Sequence, residues 1–481
     1  MAKGVDYNWG MMGIKRIVVG VLAACALCLA SEGPFETGVV IPSVECQKAE
    51  GQSFALYVPT NYTKERAWPV LFAFDPMAKG VVPVELFSKA AERYGYIVIG
   101  SNNSKNGPRE PVWAAMNSVW QEAHRLFNID KQRIYVTGFS GGSRVSTFFY
   151  NVVRSPVAGI IACGAGLSKL TTPERLSPTL YYGIVGTADY NYQEMANLDK
   201  LLDKAGVTHL IKVFEGPHIW PPEDLCLQAI QWLELQAVKQ EKAAADEERL
   251  REIFSEERAR AEDLEKEGKI MMAASAYQSI LDLFPGPAST AGIGQSLLRL
   301  QKTKYYKKFP KMEKKRMDKE LTVVGNFFRV LGFIQHSPLT KLNGQQLLFR
   351  LKVGSLKKMA RRKDIYERGL GKRQLYNLSV QARNLADKFH QSKEYLKAIL
   401  MYKIALEAGI ESPYRSLDLY NLACANARAG QKKNALKNLE LAADEGFKRF
   451  ESLETEADLD SIRAEPEFAK IAAKIKQNQV H

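Results

Sequence analysis

Between residues 54 and 214, short apolar runs alternate with stretches of helical period, and this alternation limits the possible folds more than any other feature of the chain. The runs are Phe54–Val58, Val70–Phe74, Tyr96–Ile99, Ile134–Val136, Gly159–Ala162, Tyr181–Val185 and Leu210–Phe214. Several are continuously apolar, as strands covered on both faces must be. Between two of them, Val112, Met116, Val119, Trp120, Ala123 and Phe127 fall on one face of a helix. The aromatic residues of that stripe are read as core, not as a cofactor box. Strands alternating with such helices predict an α/β fold, a mostly parallel sheet with helices on both faces.

This pattern occupies less than half of the 481 residues, so two or three domains are expected. Residues 238–266 carry dense mixed charge, as in Asp246-Glu247-Glu248-Arg249, and read as a solvated helical linker. Beyond it the chain is helical and repetitive. Ala386, Phe389, Ala398, Tyr402 and Ala405 form one set; Ala423, Gly430, Ala435, Leu439 and Ala442 form another. Small residues at these places let two helices approach closely. The spacing resembles the tetratricopeptide repeat, with one unit over 254–300 and further units over 374–478. That resemblance implies a concave surface for a protein partner or a large substrate.

The net charge of +14 is confined to one segment. Residues 301–373 hold 21 Lys or Arg against 5 Asp or Glu, a surplus larger than that of the whole chain. Tyr305, Tyr306 and Phe309 interleave with its lysines. The reading favoured here is solvated helix faces; contact with an anionic lipid or polymer is the alternative. Nucleic acid is not an expected partner.

Lys15 and Arg16 precede an apolar run, Ile17–Ala30, of the length of a signal peptide and short of a membrane span. Residues 1–30 are therefore read as a signal, and the protein as exported, periplasmic or secreted. Two processing routes stay open: cleavage before Ser31, or lipidation of Cys25 as in a lipoprotein, which would be the one link to a membrane. The remaining cysteines, Cys46, Cys163, Cys226 and Cys424, are scattered and form neither a disulfide framework nor a zinc site.

Chemistry concentrates where the apolar runs end. Gly138-Phe139-Ser140-Gly141-Gly142 fits Gly-x-Ser-x-Gly, follows the run Ile134–Val136 and precedes a helix-compatible stretch. A nucleophile elbow needs this layout, because only glycine fits beside a serine held on so tight a turn. Serine needs a base. Asp189 follows Tyr181–Val185 and His218 follows Leu210–Phe214, so the order Ser140, Asp189, His218 is the nucleophile–acid–base order of a triad on this type of sheet. His218 would take the proton of Ser140, and Asp189 would hold the imidazole. His124 and His209 are read as structural; His336, His390 and His481 lie outside this region.

On these motifs residues 50–237 resemble an α/β-hydrolase, nearest to secreted esterases of the feruloyl-esterase and polyhydroxyalkanoate-depolymerase kind. The domain is placed at 45–237. The resemblance implies cleavage of carboxylic esters through an acyl-serine. The sequence shows no metal cluster and no phosphate-cradling loop, so no cofactor and no metal are expected. The resemblance also implies two backbone oxyanion donors, Gly141 and Met77. One departure bears on Met77: such esterases often carry His-Gly after the third strand, where this chain has Asp75-Pro76-Met77, and Pro76 has no N–H to donate. A serine peptidase of the same fold and a non-catalytic binding protein are the rival readings. The export expectation is checked by mass spectrometry of the cell-derived protein, whose mature chain should begin at Cys25 or Ser31; an intact Met1 in the cytoplasm would refute it.

Overall fold

The computed structural model describes residues 35–153, 157–284, 287–409 and 412–480. The expected signal segment, with Cys25, lies outside them, as does His481. The chain falls into two compact units, Met1–Tyr135 and Val136–His481.

The first unit contains β1 (Val40–Glu45), β2 (Ser53–Tyr57), β3 (Trp68–Phe74), α1 (Val81–Tyr94), β4 (Ile97–Ser101) and α2 (Arg109–Leu126). Strand β5 (Ile129–Phe139) begins here and ends in the second unit. Every residue of β3 and β4 is buried, which is why both read as unbroken apolar runs. They pair in parallel, while β2 pairs antiparallel with β4 and with β1. Strand β1 is absent from the sequence expectation. It is half exposed, carries Pro42 and has an irregular register between Ile41 and Val44, all marks of an edge strand.

The second unit continues with α3 (Gly141–Val153), β6 (Val157–Cys163), β7 (Leu180–Gly186), α4 (Tyr192–Lys204), β8 (His209–Phe214) and α5 (Glu223–Lys239). Strands β6, β7 and β8 pair in parallel. Among the described residues the sheet has eight strands in the order β1-β2-β4-β3-β5-β6-β7-β8. The expected fold class is the one found: a mostly parallel α/β sheet followed by an all-helical region.

That region comprises α6 (Glu247–Lys266), α7 (Ile270–Leu283), α8 (Pro287–Lys302), α9 (Lys304–His336), α10 (Gly344–Arg350), α11 (Val353–Met359), α12 (Ile365–Gln391), α13 (Tyr395–Ala408), α14 (Arg415–Arg428) and α15 (Lys432–Asp444), then α16 (Phe450–Thr455), α17 (Asp460–Arg463) and α18 (Pro466–Val480). Among the described residues no helix is long and apolar enough to cross a membrane.

Three further features differ from the sequence expectation. Helix α6 is a packed element, not a solvated linker: Ile253 and Ala261 are buried, and Glu257 accepts a hydrogen bond from Gln231 of α5 at 2.7 Å. Some of its charges are paired with neighbouring helices, such as Glu265 with Arg299 at 2.9 Å and with the Tyr277 hydroxyl at 3.0 Å, while others stay exposed. The border expected at residues 373 and 374 falls inside α12, a single helix. The basic segment is partly turned inward. Arg316 is buried against Glu313, Asp364 and Glu367, Tyr305 donates to Asp364, and Phe309 packs edge-on against Tyr366.

Helices α12 to α15 pack in succession over a core in which Ala386, Ala398, Ala405, Ala423, Ala435 and Ala442 are inaccessible. A larger side chain there must force helices apart. Ala435→Leu should cost about 1–3 kcal/mol and lower the melting temperature measured by circular dichroism, whereas Ala at exposed Lys433 should leave it unchanged.

Candidate active site

The end of β5 and the start of α3 approach so closely that Gly138 tolerates no side chain. A Cβ there would stand 2.2 Å from the carbonyl oxygen and 2.3 Å from the carbonyl carbon of Gly142. The turn between them puts Ser140 at φ 54°, the left-handed region that a non-glycine residue enters only under constraint. The Ser140 amide is anchored to the Cys163 carbonyl at the end of β6, at 2.8 Å. The hydroxyl is thereby carried on a strained, well-held backbone.

Beyond β7 and β8 two loops are laced together. The amide of Thr187 donates to the Phe214 carbonyl and that of Ala188 to the Gly216 carbonyl, both at 2.8 Å. This lacing brings Asp189 beside His218. Asp189 is 1% exposed, and its two oxygens have different partners. Oδ1 accepts the Asn191 amide at 2.8 Å, and Oδ2 lies 2.8 Å from His218 Nδ1. His218 Nε2 lies 2.9 Å from Ser140 Oγ. Asn191 also ties its side-chain amide to the Gly164 carbonyl at 2.7 Å, so it braces the acid from a second direction. The three residues singled out in the sequence thus form one continuous hydrogen-bonded chain, supplied by the ends of β5, β7 and β8.

Aromatic rings surround the imidazole. Tyr190 lies 4.1 Å and Phe139 4.5 Å from it, centre to centre, and Trp220 packs against Phe139. Tyr190 remains 44% exposed. Burial pushes its phenol pKa up. Sequence reasoning missed Tyr190 and Asn191. Their positions one and two residues after the acid are the available signal, since a loop that fixes a buried carboxylate must supply donors from its own backbone and neighbours.

The two expected oxyanion donors fare differently. Gly141 opens α3, so its N–H belongs to the first turn, where amides have no intrahelical acceptor. The amide of Met77 is engaged: it donates to Asp75 Oδ1 at 2.8 Å, and the Lys79 amide donates to the same oxygen at 3.2 Å. The sequence Asp75-Pro76-Met77 closes on its own aspartate, and Met77 is not a free donor here.

Three of the other described histidines have structural partners, and the fourth, His336, is exposed at the end of α9. His124 bonds the Trp120 carbonyl, His209 bonds Val207 and Asp199, and His390 bonds Asp458. The cysteines of the described residues are free and buried. Burial pushes the Cys163 thiol up to about 12, far from a thiolate at neutral pH. Among the described residues no group of three or more His, Cys, Asp or Glu is placed to hold a metal ion.

No family model and no curated protein matches the chain. It is similar in structure to a fluorophosphonate-binding serine hydrolase of Staphylococcus aureus, at 14% identity and a TM-score of 0.33, over 41% of this chain and 99% of that one. It is also similar to a ferulic acid esterase at 15% identity and a TM-score of 0.35, over 40% of this chain and 97% of that one. An esterase of Pyrobaculum calidifontis is similar at 15% identity and a TM-score of 0.33, over 47% of this chain and 95% of that one.

The elbow is directly testable. In Gly138→Ala the new methyl group meets backbone that cannot swing aside, so Ser140 must move. A displacement of about 1 Å costs on the order of 100-fold in rate. Labelling of the purified variant by a fluorophosphonate probe should slow by about that factor, and wild-type labelling would contradict the elbow geometry.

Proposed function

We propose that the protein is a serine hydrolase that cleaves carboxylic esters through an acyl-serine intermediate. The observation that carries this reading is the unbroken chain from Asp189 Oδ2 through His218 to Ser140 Oγ, with links of 2.8 and 2.9 Å. His218 accepts the Ser140 proton as Oγ attacks the substrate carbonyl, and the departing alcohol then takes that proton from Nε2. Asp189 fixes the tautomer in which Nδ1 carries hydrogen and stabilises the imidazolium. The Gly141 amide at the head of α3 faces the oxyanion that forms beside Ser140. Water repeats the cycle on the acyl-serine and releases the acid.

The helical region is proposed to be tetratricopeptide-like and to contact a protein partner or a polymeric substrate. The protein is further proposed to be exported through its first thirty residues, with a lipid anchor at Cys25 as the alternative to cleavage.

A fluorophosphonate probe tests the central claim. Ser140→Ala should abolish labelling and ester turnover while leaving the melting temperature near that of the wild type. Asp189→Asn should keep the fold and lower kcat by on the order of 10,000-fold, because the wrong imidazole tautomer is then favoured. Turnover of acyl esters without turnover of peptide amides separates an esterase from a peptidase. Undiminished ester hydrolysis by Ser140→Ala would overturn the assignment.

A further inference from the structure

One face of α12 lies along the loop that carries Asp189. The residues are Tyr366, Gly369, Arg373 and Tyr376, at the three- and four-residue spacing that aligns side chains on a helix. Tyr366 meets the ring of Tyr192 at 6.4 Å, and Tyr376 stacks on Tyr190 at 5.9 Å with the planes 4° apart. Gly369 faces Thr187 so closely that a Cβ would stand 2.3 Å from the Thr187 carbonyl oxygen. Arg373, 1% exposed, donates to that same oxygen from Nη1 at 2.6 Å.

The rest of the Arg373 guanidinium is held equally firmly. Nε and Nη2 donate to the two oxygens of Glu320 on α9 at 2.8 and 2.6 Å, and the group lies over the Tyr192 ring. Glu320 also accepts from Gln374 of α12 and from Gln193, four residues past the acid. The second loop is tied to the same helix: Arg368 donates twice to Glu215, three residues before His218.

We propose that α12 is a positioning element of the triad, with Arg373 holding the Asp189 loop through the Thr187 carbonyl. This rests on the reading of Ser140, Asp189 and His218 as a hydrolytic triad. Thr187 is pinned on both sides, its amide to β8 and its carbonyl to Arg373. Without the guanidinium, that carbonyl is left buried and without its donor. The loop then relaxes toward another donor, and Asp189, two residues on, moves with it. The helical region thus completes the hydrolytic site, beyond any part it plays in docking a partner.

Three variants of the full chain test this: Arg373→Met with Glu320→Gln, which removes the buried charge from both partners together; Arg373→Lys, which keeps one donor; and Gly369→Ala, which pushes on Thr187 by a single methyl group. Exchange of the surface pair Lys357 and Glu407 for glutamines serves as the control. The readouts are the rate of fluorophosphonate labelling, kcat and KM for nitrophenyl acetate, and the melting temperature. The double variant and Gly369→Ala should label 10- to 100-fold more slowly at temperatures where both are folded. The loss should fall on kcat with KM little changed, and Arg373→Lys should recover part of it. Folded variants that lower only the melting temperature and label at the wild-type rate would overturn the proposal. A wild-type chain that takes no label at all would instead overturn the hydrolase reading beneath it.

Discussion

The close approach of two backbone segments, at Gly138 and Gly142, is the constraint on which the candidate site depends. Because neither residue carries a side chain, the strand can turn into a helix within a few residues, and Ser140 is forced into a left-handed conformation. Such a conformation survives only where its surroundings over-determine it. Here the Cys163 carbonyl holds the Ser140 amide, and the buried Ser143 hydroxyl bonds the Ala165 carbonyl at 2.7 Å. The Ser140 backbone is thus placed by sheet and helix together. Asp189 and His218 need only be brought to that one fixed point.

They are brought there by a different device. Loops after β7 and β8 are joined by backbone hydrogen bonds, which tie Asp189 and His218 into one piece. From outside it is met by a polar network far along the chain, buried at Glu320 and Arg373 and exposed at the Arg368–Glu215 pair. Buried ion pairs are poor sources of net stability, since desolvation offsets their attraction. Their advantage is geometric: Arg373 satisfies one carbonyl and both oxygens of a carboxylate at fixed angles. A network of that kind suits a site that needs defined positions more than it needs added stability.

The parts of this architecture that were legible in the sequence are those governed by short-range rules. Trp68–Phe74 and Leu180–Gly186 are buried along their whole length, so their apolar runs announce them. Ser140, Asp189 and His218 each follow a strand, so order along the chain was enough to group them. Strand β1 was not legible, because an exposed edge with a proline has no apolar signature. The first half of β5 was missed for a related reason, since Asp130, Lys131, Gln132 and Arg133 are polar and carry the strand beyond its buried part. Met77 was named from its place after β3, but the competing acceptor Asp75 stands only two residues away. Local carboxylates capture nearby amides readily, and no spacing rule weighs that competition.

Charge was the feature most open to misreading. The surplus of positive residues between 301 and 373 reads from the sequence as a surface for water or an anionic polymer, yet several of its arginines face inward. Arg316 and Arg373 are among the largest fully buried side chains of the described residues, and Arg368 is bound to Glu215. Each is matched by carboxylates from another helix or loop, with Glu320, Asp364 and Glu367 supplying most of them. Net charge is therefore a weak guide to partners in this segment. Five acidic residues against 21 basic ones is a surplus by count, but those few acids are concentrated where the arginines are buried. The part of the surplus left for contact with an outside anion is the exposed lysines of α9 together with exposed basic residues farther on, such as Lys341, Arg350, Lys352, Arg361 and Lys363, none of which takes part in the network around Thr187.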